Sequence, residues 1–242
     1  SRDLLNELNH RHLAARRGDD ELQARIESYS LAAKMQMAVP EVTEIGNESQ
    51  VTRDMYGLGQ DDTNDFGRSC LLARRLLEKG VRFVQLYSGG AFGKPRINWD
   101  GHEDMKRNHD REAKRVDQPI GALLKDLRQR GLLDDTIVLI TTEFGRTPFT
   151  QANKGTVGTG RDHNMYGFSN VMAGAGLRHG FKYGSTDDVG WKAAHNPVHW
   201  YDFHATLLHL LGIDHEKLTY YHNGIMRRLT NVHGHVIKDI LA

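Results

Sequence analysis

The run Thr136-Ile137-Val138-Leu139-Ile140-Thr141-Thr142 constrains the fold most. It is β-branched and apolar through its middle, which reads as a strand covered on both faces. A long helical stretch precedes it over residues 103–130, disturbed near Pro119 and closed by Gly131. Earlier in the chain, an amphipathic helix over residues 65–79 ends at Gly80 and leads into a strand over residues 81–87. Later come a strand over residues 169–173 and a helix over residues 201–211, ended by Gly212. Helices alternating with strands predict βαβ units joined by right-handed crossovers, and so an α/β fold with a parallel sheet.

The first part of the chain reads differently. Residues 3–39 predict two helices broken at Gly18-Asp19-Asp20, the second carrying a stripe of Leu22, Ile26, Tyr29, Ala33 and Met37. Pro40 is expected to end it, and residues 41–64 read as a polar loop or linker. The expected organisation is a helical segment and linker over residues 1–64, then an α/β domain over residues 65–242. Ser1 opens directly in helical sequence, which reads as the start of a fragment.

Bulk properties narrow the function. With 242 residues, 38% hydrophobic and 26% charged, the chain has an ordinary composition and the length to bury a core. A net charge of +1 argues against a dedicated nucleic-acid binder. No apolar stretch is long enough to span a membrane. The single Cys70 falls in an apolar helical run and is expected to be a core residue. Of the 14 histidines, 12 lie at or after His102, which draws attention to that half of the chain.

In open parallel sheets ligands bind beyond the carboxyl ends of the strands. Two loops leave those ends here. One carries Asn98-Trp99-Asp100-Gly101-His102; the other starts at Glu143 and contains Gly160-Arg161-Asp162-His163. Asp, Glu and His together suit a divalent metal, Zn²⁺ or Mn²⁺ first, with Ca²⁺ or Mg²⁺ as alternatives. Asp100 and His102 are two apart, so in extended backbone both project to one side. His163 could complete their site, while Glu143 could hold a second ion or act as a base. Arg146 and Arg161 could pair with an anion such as phosphate or sulfate. The competing reading has these residues only holding long loops in place. No Gly-x-Ser-x-Gly elbow and no Walker A sequence is present, and Gly155–Gly160 reads as a flexible loop, so no nucleotide cofactor is expected. His204 and His209 are expected to be packing or surface residues and Trp99 to anchor its loop, while His109, one or two helical turns past His102, could lean into the site as the lesser alternative.

Four ordered motifs then carry a resemblance over nearly the whole chain. They are Asn98-Trp99-Asp100-Gly101-His102, Thr142-Glu143-Phe144-Gly145-Arg146-Thr147-Pro148, Gly160-Arg161-Asp162-His163-Asn164, and the segment from Asp202 to Gly212. The sequence resembles the domain of unknown function 1501 family, itself similar to the alkaline phosphatase-like superfamily with its sulfatases and cofactor-independent phosphoglycerate mutases. The resemblance implies a three-layer αβα core with a mostly parallel sheet, incomplete at the N-terminus, this chain being the C-terminal portion. It implies two metals: Asp100, His102 and His163 would hold one, and Glu143 would face the second and serve catalysis. The substrate implied is a small anionic ester or a sulfated or phosphorylated glycan, and the location extracytoplasmic. Two departures stand out: Phe144 occupies the place of a metal-binding histidine, and no strand precedes Val81 to carry a nucleophile. The implied function is metal-dependent hydrolysis of phosphate or sulfate esters; the alternative is a degenerate member that binds an anion, a glycan or a protein.

Overall fold

The structure is a computed structural model that describes residues 2–16, 18–89, 98–153 and 156–242. Two helices, α1 (Arg2–Ala15) and α2 (Asp20–Thr43), open the chain. Asp19 caps α2 by accepting a hydrogen bond from the Leu22 amide at 2.9 Å. Pro40 does not end α2. It lacks one amide but keeps its carbonyl, which receives the Glu44 amide at 3.1 Å and carries the helix one turn further. The expected linker is also partly helical, with a 3₁₀ turn over Ile45–Asn47 and α3 over Gln50–Met55. Ser49 caps α3 through the Thr52 amide.

α4 (Asn64–Glu78) and α5 (Met105–Gln129) pack on each other and make the core. Their apolar residues recur at three and four positions, so Cys70 and Leu71 of α4 face Ala122, Leu123 and Leu127 of α5. Tyr56 joins this cluster wholly buried, and its hydroxyl donates to Asp126 at 3.0 Å. Burial, with the Asp126 carboxylate beside it, pushes the Tyr56 phenol far above its ordinary value. Burial likewise pushes the Cys70 thiol up to about 12. α5 passes through the buried Pro119 without a break.

A buried ion network ties the first segment to these helices. Arg74, 2% exposed, pairs with Glu48 at 2.8 Å, Glu78 at 2.7 Å and Asp126 at 3.0 Å. Burial opposes its charge, but the Glu48 and Glu78 carboxylates outweigh that and hold its pKa above the usual range. Arg75 also reaches Glu48 and the Val42 carbonyl.

The strands depart from expectation. β1 (Ile137–Ile140) pairs antiparallel with a later strand over Val171–Gly174, in the register Ile137↔Gly174 to Ile140↔Val171. Between them lie β2 (Gly145–Arg146), β3 (Ala152–Asn153), β4 (Thr156–Val157) and β5 (His163–Asn164), which makes Val171–Gly174 β6. All named strand pairs are antiparallel and the sheets are two-stranded, so the mostly parallel sheet is not found among the described residues. The physical reason is the connection. Among the described residues no helix lies between β1 and β6, and without a crossover the returning strand runs in the opposite direction. The strand expected over residues 81–87 does not form, for these residues join no ladder; Leu86 packs on the core, while Phe83 is 79% and Tyr87 82% exposed. β1 is half-buried throughout rather than fully covered.

The rest is two hairpins and a helix: β7 (Ser185–Thr186) with β8 (Ala193–His195), α6 (Trp200–Leu210), and β9 (Thr219–His222) with β10 (Ile225–Arg228). α6 buries Phe203, Ala205 and Thr206. Among the described residues no helix is long and apolar enough to cross a membrane.

Candidate metal centre

The first site loop is a tight turn before α5. Asn98, buried, accepts the Asp100 amide at 2.9 Å through its side chain, and the His102 amide donates to the Asp100 carbonyl at 2.9 Å. Trp99 anchors this turn. Its indole N–H donates to Ser88 Oγ at 3.1 Å, and its ring meets His109 edge-on at 5.4 Å. His109 Nε2 lies 3.0 Å from the Trp99 carbonyl oxygen, so this histidine holds the loop. Asp104 then caps α5 through the Arg107 amide.

The second loop is shaped by β2 pairing with β5. Arg146 lies directly across from His163, and residues opposite one another in an antiparallel pair present their side chains on one face. The two loops are stitched together by backbone. The Arg161 amide donates to the Gly101 carbonyl at 3.0 Å, and Thr159 Oγ1 to the Glu103 carbonyl at 3.1 Å. Gly160 makes this approach feasible: a Cβ there would lie 1.8 Å from the His102 carbonyl oxygen.

These contacts bring Asp100, His102 and His163 together, with one donor atom of each within 4.8 Å of the others. His102 Nε2 is 3.0 Å from His163 Nε2 and 3.0 Å from Asp100 Oδ1; His163 Nε2 is 3.9 Å from Asp100 Oδ1. Ligands of a tetrahedral Zn²⁺ ion at ~2.0–2.1 Å stand about 3.3 Å apart, so the three spacings bracket the value such an ion requires. The donor set, two imidazoles and one carboxylate, is chemically apt and leaves a fourth position for another ligand. Asp100 and His102 are about three-quarters buried, His163 about half, with side-chain exposures of 22%, 26% and 48%.

The surrounding residues orient these groups. Gln151 Oε1 lies 2.7 Å from His102 Nδ1; accepting that N–H leaves the Nε2 lone pair turned towards the cluster. Asp162 Oδ1 is 4.0 Å from the same Nδ1. Phe144 stacks on the His163 ring at 3.9 Å between centroids and 25° between planes. It thereby fixes a histidine's orientation without offering a donor. Arg146 donates to Asp100 Oδ1 at 3.3 Å and to the Trp99 and Arg161 carbonyls at 3.1 and 3.3 Å.

The remaining residues singled out from sequence sit apart from this cluster. Arg161 directs its guanidinium to the Gly160 carbonyl at 3.3 Å. Glu143 is exposed and accepts a hydrogen bond from Thr142 Oγ1 at 3.3 Å. It is not among the residues whose donor atoms converge. Gln151 was not singled out from sequence, and no motif marks it.

A model of the family described as a protein of unknown function (DUF1501) matches residues 1–241. The chain belongs to this family. The DUF1501 match spans the N-terminal helices as well as both site loops, so the family unit takes in the helical segment and the candidate centre alike. Neither curated proteins nor solved structures give a match to this DUF1501 chain.

Proposed function

We propose that this chain carries the metal centre of a hydrolase acting on phosphate or sulfate esters. The observation that supports the reading most is the convergence of Asp100 Oδ1, His102 Nε2 and His163 Nε2, with His102 oriented from behind by Gln151. In this reading Asp100, His102 and His163 hold a divalent cation, Zn²⁺ or Mn²⁺ before Ca²⁺ or Mg²⁺. The ion would supply polarisation of an ester oxygen. Arg146, already at the rim of the cluster, would exchange part of its hold on Asp100 for an anionic group, which its planar fork suits. Arg161 would have to turn from the Gly160 carbonyl to assist. Glu143, exposed beside β2, is assigned proton transfer or a second ion. The alkaline phosphatase-like αβα core and an extracytoplasmic location belong to the same reading, as does a small anionic ester or a sulfated or phosphorylated glycan as substrate.

Metal content tests it. Protein loaded with Zn²⁺ or Mn²⁺ and freed of excess ion should retain about one equivalent. Retention should fall at least about tenfold in His102→Ala and in His163→Ala. Unchanged metal content in both variants would remove the assignment.

A second reading is non-catalytic binding of an anion, a glycan or a protein. Phe144, stacked where a ligand would otherwise be offered, favours it. Hydrolysis of generic phosphate and sulfate esters by metal-loaded protein, lost in Glu143→Gln, would decide for the enzyme.

A further inference from the structure

Val81-Arg82-Phe83-Val84-Gln85-Leu86-Tyr87 has the β-branched and aromatic content of a strand, yet one copy of the chain gives it no ladder. No helix or turn is present over residues 81–88, and from Phe83 to Tyr87 the side chains are alternately exposed and half-buried. That two-residue period is the period of a strand. Leu86 packs on the core, while Phe83, Gln85 and Tyr87 face out, the two rings 79% and 82% exposed. Among the described residues no amide or carbonyl of residues 82–87 enters a backbone hydrogen bond. A row of unpaired backbone groups beside exposed rings is a template for another strand.

The segment is its own complement. An antiparallel pair related by a two-fold axis at Gln85 sets Phe83 opposite Tyr87 of the second copy, Val84 opposite Leu86, Arg82 opposite Ser88, and Gln85 opposite its own mate. Aromatic stands against aromatic, aliphatic against aliphatic, and no like charges oppose. Centred on Val84 instead, the pair would set Arg82 against Leu86.

Charge favours the same register. Tyr87 and Ser88 line one cavity with Asp61, Asp62 and Asp65. These three acids are exposed, and neither they nor Arg82 enter an ion pair among the described residues. With Arg82 opposite Ser88, its guanidinium arrives at the acids of the second copy, and symmetry repeats the contact. Four rings at these exposures cover on the order of 500–800 Å². Arg82, Gln85 and the two backbones bring the contact towards the ~1,200 Å² at which stable interfaces begin. We infer that this segment is a self-association surface: two copies of the chain pair antiparallel through residues 82–88, with Arg82 of each at Asp61, Asp62 and Asp65 of the other. The inference is independent of the metal reading.

Sedimentation of the whole chain over a concentration series tests it. A monomer–dimer equilibrium is expected, weakened by salt as the exposed charges are screened. Arg82→Glu should weaken dimerisation about tenfold or more, as should Asp61→Lys/Asp62→Lys, and combining them should restore most of the loss. Cysteines read the register. Cα atoms directly opposite in an antiparallel pair lie ~4.5–5.5 Å apart, within disulfide reach. Gln85→Cys should therefore give a disulfide-linked dimer under mild oxidation. Phe83→Cys should not, since residue 83 and its mate stand four positions out of register, about 13 Å. Cys70, 1% exposed, does not compete. The inference is overturned if the chain stays monomeric at every concentration, which would leave this edge to a strand of another protein. It is overturned equally if Arg82→Glu associates as the parent does, or if Phe83→Cys cross-links as readily as Gln85→Cys.

Discussion

A Cβ built on Gly160 would lie 1.8 Å from the His102 carbonyl oxygen and 3.0 Å from the Glu103 amide nitrogen. Both neighbours are backbone, so neither can swing aside. Gly160→Ala must therefore push the two site loops apart, costing about 1–3 kcal/mol of stability. Metal retention should fall with it, since Arg161 and Asp162 lead directly to His163. Thermal unfolding and metal analysis of this variant check both effects; wild-type values in each would mean the loops tolerate separation. Gln151 acts without altering packing. Gln151→Ala should leave the melting temperature of the metal-free protein unchanged and weaken metal binding by about 10–100-fold, the usual range for a group that orients a ligand. Equal affinity in the variant would show that His102 needs no such support.

The α4–α5 pair is the element on which the rest is built. Leu127 is wholly buried between Tyr56, Leu71 and the residues of α5 around it. Leu127→Ala should cost about 2–5 kcal/mol, read as a lower urea midpoint. The ion network at the same junction gives a pH dependence. Burial raises the Glu48 pKa, but hydrogen bonds from Arg74 and Arg75 outweigh this and leave it below 4.5. A carboxyl depressed in the folded state contributes stability above its unfolded pKa and loses it as pH falls through the folded value. Unfolding free energy should therefore decline between about pH 6 and about pH 3, and Glu48→Gln should flatten part of that decline. An identical acid limb in the variant would place the loss in other carboxylates.

For the whole molecule, a bound ion would clamp the loop ahead of α5 to the β2–β5 loop. Ligand binding to the folded state alone adds about 2.7 kcal/mol when the free ion is at a hundred times its dissociation constant. Zn²⁺ or Mn²⁺ should raise the melting temperature by several degrees, a chelator should reverse the gain, and His163→Ala should show neither response. A shift retained in His163→Ala would put the ion elsewhere.

Sequence alone determined the helices other than α3, which lies in the segment read as a linker, and named the residues of the cluster. An apolar stripe at three- and four-residue spacing is a local property, and it located α1, α2, α4, α5 and α6 to within a few residues. Asp100, His102 and His163 were legible because motifs bracket them. Strand direction was not legible, because it depends on how the chain travels between β1 and β6, 31 positions apart in the pairing of Ile140 with Val171. Gln151 was not legible either: it meets His102 across 49 residues of sequence, and nothing nearby marks it. The same holds for Arg146 lying on Asp100. Side-chain periodicity acts over one or two turns. Pairing, close backbone approach and the satisfaction of buried charge are decided by neighbours that only folding assembles.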